Sequence, residues 1–131
     1  MRAILVGSHF VPPAKVVLST MKAGTEVELE AEPDNPYDEN AIKVLVDVEN
    51  LNVFSLQEKE EELSASGSSV EELMTMDRIP LGHIAASGGK PLQKALKVLP
   101  GLVGTNEVRG RVRGLVTFVG ELIVVELGDQ P

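Results

Sequence analysis

The sequence predicts a mainly β protein: a small OB- or SH3-like β-barrel with one or two short helices. Three observations predict it. Short runs with strand character recur along the chain and are separated by turns rich in glycine and proline. Helix-like stretches are too few and too short to cover both faces of an α/β sheet. The length, 131 residues, suits one domain with a core and is short for two ordinary ones.

The elements follow in order. Met1 to Gly7 is a short apolar run closed by glycine and reads as a buried strand. Ala14 to Met21 reads as a short helix ending near Ala23-Gly24, glycine being suited to a helix C-terminus. Thr25 to Glu32 alternates strictly, placing Val27, Leu29 and Ala31 on a core face and Glu26, Glu28, Glu30 and Glu32 on a face expected to meet water. Ala41 to Val48 is a third strand, with Lys43 and Asp47 on one side and Ile42, Val44 and Val46 on the other; it is expected to pair with the strand before the intervening loop. Ser55 to Met76 breaks the β pattern and reads as charged helix pieces around a flexible Ser64-Ala65-Ser66-Gly67-Ser68-Ser69 linker. Arg78 to Ile84 resumes a strand, and Lys90 to Val98 reads as a helix after the Ser87-Gly88-Gly89 turn. Two strands, Glu107 to Val119 and Glu121 to Leu127, meet at a turn at Gly120.

Charge and composition narrow the function. There is no apolar run long enough to cross a bilayer, and Met1 to Val6 is too short for a signal-peptide core, so a cytoplasmic protein is expected. The absence of cysteine excludes disulfides, thiolate metal sites and thiol nucleophiles. A net charge of −8 argues against a generic basic coat for nucleic acid, whose affinity comes from neutralising phosphates. The acid is concentrated, however: Glu58, Glu60, Glu61, Glu62, Glu71, Glu72 and Asp77 against Lys59 and Arg78 give the 50–78 stretch −5 and leave −3 for the rest.

Catalytic signals are sparse. The chain has no serine in a nucleophile-elbow pattern and no phosphate-binding GKT or GKS loop, and only His9 and His83 could serve as histidine bases. Asp34, Asp38 and Glu39 form a loose acidic group whose spacing, interrupted by Pro36, does not match a calcium loop. No metal, cofactor or enzymatic activity is expected.

The stretch richest in chemistry is Glu32-Pro33-Asp34-Asn35-Pro36-Tyr37-Asp38-Glu39-Asn40-Ala41-Ile42-Lys43-Val44. Two prolines fix their own φ and bias Glu32 and Asn35 to extended backbone, so the loop is stiff. It presents amide, carboxylate and phenol groups, the last from the only tyrosine in the chain. Asp34, Asn35, Asp38 and Asn40 are all residue types that satisfy backbone groups in turns. A ring beside a carboxylate, as in Tyr37-Asp38, is suited to stacking a terminal base while accepting a hydrogen bond from a sugar hydroxyl.

This stretch resembles the signature of the HIRAN domain, a small β-barrel found as the N-terminal module of certain fork-remodelling helicases and as a stand-alone bacterial or phage protein. Gly7-Ser8-His9-Phe10 and Leu81-Gly82-His83-Ile84, the latter followed by Pro91-Leu92-Gln93-Lys94-Ala95-Leu96, resemble two further family segments in the same order. The resemblance implies a single HIRAN-like domain over 1–131, with an acidic insertion at about 50–78 where the family connection is usually short. It further implies a pocket for the 3′ end of single-stranded DNA, with Tyr37 packing on the end nucleotide, Asp38 receiving its 3′-hydroxyl, and Phe10, His9, Asn35 and His83 around them. His9-Phe10-Val11 stands where helicase-borne members carry arginine followed by aromatic residues; Phe10 can stack a base or fill the core. Ala85 or Ala86 stands where a basic residue is expected.

Two basic stripes could run beside a phosphate chain: Arg109, Arg111 and Arg113 on one strand face, and Lys90, Lys94 and Lys97 at helical spacing. Such stripes are more commonly solvated faces. Together these features point to a non-catalytic DNA-binding module recognising single-stranded 3′ ends, of use in DNA repair or replication. The alternative is a protein-interaction module that keeps the barrel and meets a positively charged partner through the acidic insertion.

Overall fold

The computed structural model describes residues 2–8, 11–32, 35–37, 41–85, 111–119 and 122–126. Six antiparallel strands form a closed barrel: β1 (Arg2–Val6), β2 (Glu26–Ala31), β3 (Ile42–Asp47), β4 (Arg78–Ile84), β5 (Arg111–Val119) and β6 (Leu122–Glu126), in the spatial order β1-β4-β3-β2-β5-β6 with β6 returning to β1. The expected pairing around the polar loop is present, with Ala31 opposite Ile42 and Leu29 opposite Val44. Among the described residues closure leaves no strand at an open sheet edge, which would otherwise be a template for pairing with another chain. The expected helix at Lys90 to Val98 and the turn at Gly120 lie outside the described residues.

Alternation fills the barrel. Val27 and Leu29 of β2, Ile42, Val44 and Val46 of β3, and Ile79 and Leu81 of β4 are all buried in one cluster with Leu5, Val116 and Val125. The β3–β4 ladder pairs Val44 with Gly82 and then Leu45 with Pro80, so Leu81 is an extra residue in a bulge. A bulge accounts for proline in a strand that has neighbours on both sides. It also takes Leu81 out of the ladder, and the Ser8 hydroxyl donates to the Leu81 carbonyl at 2.8 Å. Next to it Gly82 has a φ of 143°, and a Cβ there would stand 2.4 Å from the Val6 carbonyl oxygen. Only glycine lets β1 approach β4 this closely.

Four short helices are described, one near the expected Ala14 to Met21 helix and three in the 53–74 region where charged helix pieces are expected. Helix α1 (Pro12–Thr20) starts earlier than expected because Pro12 and Pro13 occupy its first positions, where a missing N–H costs nothing. It buries Ala14, Val16, Val17 and Leu18 and packs against β4. A 3-10 turn, Val48–Asn50, leads to α2 (Val53–Glu58), α3 (Glu60–Ala65) and α4 (Val70–Met74). The Asn52 side chain caps α2 and Ser69 caps α4. The expected flexible linker is instead an ordered helix end: Ser68 N–H donates to the Leu63 carbonyl, Gly67 N–H to Ser64, and Gly67 takes a φ of 87°. This is the hydrogen-bond pattern of a Schellman motif.

The helical segment is amphipathic in three dimensions. Leu56, Leu63, Val70 and Leu73 are buried in the same cluster as the barrel interior, while Glu58, Glu60, Glu61, Glu62, Glu71 and Glu72 are exposed. Its acidity is therefore a solvated outer face over an apolar seam that rests partly on α1.

Two substitutions test this architecture. Gly82→Ala should cost about 2–3 kcal/mol in a urea melt, because the main chain of β1 must move away. Leu63→Ala should cost about 2–5 kcal/mol within a single transition, as for any core leucine; a change below about 0.5 kcal/mol would show that the helical segment is detached from the fold.

Candidate nucleic-acid interface

The polar loop leaves β2 at Glu32, whose N–H donates to the Ala41 carbonyl at 2.8 Å and so extends the β2–β3 ladder to the loop base. The Glu32 carbonyl accepts from Asn35 N–H at 3.0 Å, and the Asn35 side-chain oxygen accepts from Tyr37 N–H at 2.9 Å. The second bond is an Asx turn, the local motif for which asparagine competes with regular structure. Asn35 is thus a loop-shaping residue. The Tyr37 side chain beyond it is exposed, the residue being 95 % accessible. A phenol ring so placed gives the core nothing and offers water a flat apolar face.

Beside the loop base, the outer surface of the barrel carries a row of residues set by strand register. Val6 of β1 lies opposite His83 of β4, His83 opposite Lys43 of β3, Lys43 opposite Glu30 of β2, and Glu30 opposite Arg111 of β5. His83 and Lys43 both reach Glu32: His83 Nε2 lies 2.5 Å from Oε1 and Lys43 Nζ 3.9 Å from Oε2. A carboxylate only accepts, so the imidazole presents Nε2–H to it. Val6, 42 % exposed, provides an apolar border next to the histidine.

A second set of charges lies further along the same face. Arg78 Nη1 is 3.2 Å from Glu28 Oε2 and 3.4 Å from Glu30 Oε2. The expectation that the glutamates of β2 simply face water is corrected here: Glu28 and Glu30 are half-buried and paired. Arg78 starts on β4 and ends on β2, so its side chain spans β3, where Leu45 on the outer side is nevertheless buried. Long arginine stems cover apolar surface in this way.

Of the residues singled out from sequence, the structure brings Asn35, Tyr37 and His83 to one end of the barrel, and Gly7-Ser8 approaches the same end through the Ser8 to Leu81 bond. His9, Phe10, Asp38, Lys90, Lys94 and Arg109 lie outside the described residues. Arg111 and Arg113 are placed by main chain alone, opposite Glu30 and Glu28. Sequence reasoning missed Glu32 and Lys43. The signal for both was present: Glu32 ends the alternating glutamates at the loop base, and Lys43 is the first outward position after it. Among the described residues no group of three or more His, Cys, Asp or Glu could hold a metal ion, and no helix is long and apolar enough to cross a membrane.

No curated protein and no solved structure matches the chain. Residues 3–59 match the family model of the HIRAN domain, a segment running from β1 through α1, β2, the polar loop and β3 into α2. The matched segment holds Tyr37, Asn35 and the Glu32–Lys43 pair, and over these residues the chain is similar to the HIRAN domain.

Proposed function

We propose that this chain is a non-catalytic module that recognises the 3′ end of single-stranded DNA, acting in the cytoplasm in DNA repair or replication. The HIRAN domain is a DNA-binding module, which gives the class of ligand. The observation that carries the finer reading is Tyr37: the chain's only tyrosine, exposed at the tip of a loop held by Glu32 and Asn35. A base stacks on such a ring with little reordering of the loop, and Asp38, next in sequence, accepts the terminal hydroxyl while repelling a terminal phosphate. Phe10 and His9 join from the segment after Ser8, and His83 from β4. Lys90, Lys94, Arg109, Arg111 and Arg113 supply phosphate contacts further along the strand. The module acts by recruitment, protection or competition at the end it holds.

One observation favours the second reading, a protein-interaction module. Phe54, at the start of α2, is 73 % exposed on the helical segment whose outer face is rich in glutamate. An aromatic ring among carboxylates suits a basic partner with an apolar anchor.

Fluorescence anisotropy at low salt with short oligonucleotides ending in a free 3′-hydroxyl or a 3′-phosphate separates the two. The wild-type protein is expected to prefer the hydroxyl, and Asp38→Ala to lose that preference. Tyr37→Ala should weaken binding by about 1–3 kcal/mol, roughly 5-fold to 150-fold. Unchanged affinity in Tyr37→Ala rejects stacking at this position, and no binding of either oligonucleotide transfers the function to protein partners. Asn35→Ala should act more mildly, by about 1 kcal/mol, with faster amide exchange at Tyr37 and an unchanged global melt.

A further inference from the structure

We infer that Glu32 is an internal competitor for DNA phosphate, an anion that the protein places on the subsite formed by Lys43 and the His83 imidazole and that sets the strength and salt sensitivity of binding. The inference rests on the DNA-binding reading above. Its basis is the way Glu32 engages two N–H donors at once, an imidazole and an ammonium: one carboxylate oxygen takes His83 Nε2 and the other takes Lys43 Nζ. These are adjacent residues of paired strands, His83 opposite Lys43, so their side chains leave the barrel side by side. Two oxygens on one carboxylate carbon resemble two non-bridging oxygens on one phosphorus. A phosphate seated between His83 and Lys43 therefore needs the positions that the Glu32 oxygens hold.

The neighbourhood leaves this pair, more than Arg78, open to a strand passing the loop. Arg78 is already committed to Glu28 and Glu30 and is only 25 % exposed at its side chain, whereas those of Lys43 and His83 are 31 % and 40 % exposed. The Lys43 contact at 3.9 Å is long and partly solvated, the kind of ion pair that contributes little to stability. The loop does not depend on the carboxylate, because Glu32 is fixed through its main chain, to the Ala41 carbonyl on one side and Asn35 N–H on the other. The side chain can yield to phosphate while the loop base stays in place. When it stays, its charge repels the strand.

The test is the dependence of affinity on salt for a 3′-hydroxyl oligonucleotide. Glu32→Gln keeps the shape of the side chain and removes the charge, and it should bind roughly tenfold more tightly at low salt, with the slope of log K against log salt steeper by about one. Glu61→Gln, the same charge change on the exposed face of α3, controls for net charge and should leave the slope unchanged. The gain should disappear when Lys43→Gln and His83→Gln are added to Glu32→Gln, and thermal melts verify that each variant folds. Equal or weaker binding by Glu32→Gln while the wild type binds overturns the competitor and leaves the DNA reading standing, with Glu32 then serving to position the loop. An equal gain in Glu61→Gln also overturns it, since the effect is then long-range. Loss of DNA binding by every protein, wild type included, overturns both readings, because Glu32 has nothing to compete with.

Discussion

The close approach of β1 to β4 over Gly82 is the contact on which the rest of the structure depends. The Val6 carbonyl occupies the space that any side chain at position 82 would fill. Through that approach β1 pairs with β4 on one side while pairing with β6 on the other, and the sheet becomes a barrel. The bulge at Leu81 belongs to the same device: it turns β4, leaves one carbonyl out of the ladder, and supplies that carbonyl to Ser8. Three stretches far apart in sequence, Gly7-Ser8, the polar loop and Leu81-Gly82-His83, thereby reach one end of the molecule. A site assembled in this way inherits the stability of barrel closure.

An excess of acid need not forbid a nucleic-acid surface if the carboxylates are sorted by position. Those of β2 are engaged: Glu28 and Glu30 with Arg78, and Glu32 with Lys43 and His83. Those of the helical segment are exposed, over leucines that face the core. Exposed charges act over roughly one Debye length, about 10 Å at 0.1 M salt, so the helical acid lowers attraction at long range while contacts at the loop remain matters of local geometry. On the proposed reading, local cations set affinity once the strand has arrived. The balance of these two effects makes binding of this kind sensitive to ionic strength.

Much of this was legible in the sequence, and the reason differs by element. Strands β2 and β3 announced themselves by alternation, and their pairing followed from a single loop between them. The extra helices were read as charged pieces around a linker because Leu56, Leu63, Val70 and Leu73 are isolated among polar residues; their common burial depends on turns at Lys59 and Gly67 that periodicity does not register. The role of Gly82 was visible only as a motif letter, since a close approach by β1 is a fact of tertiary structure. Glu32 escaped notice for a related reason. In the sequence it only continues the alternating glutamates of β2, and it is the β3–β4 register that brings Lys43 and the His83 imidazole to it.

The exposure of Tyr37 is difficult to explain by folding energetics. Burial of a tyrosine ring is among the larger apolar contributions available to a small domain, and this chain has few aromatic residues to use. Leaving the ring in water forfeits that contribution. The surrounding residues meanwhile restrict the loop: Pro33 and Pro36 limit φ by chemistry, the Asx turn of Asn35 fixes the approach to Tyr37, and Glu32 ties the base to β3. Ordering a backbone residue costs about 1–2 kcal/mol, and residues held by hydrogen bonds in the fold, as Asn35 and Tyr37 are, do not incur that cost again when a ligand arrives. On the proposed reading, an unburied ring held by the Asx turn of Asn35 lowers the entropic cost of stacking a base.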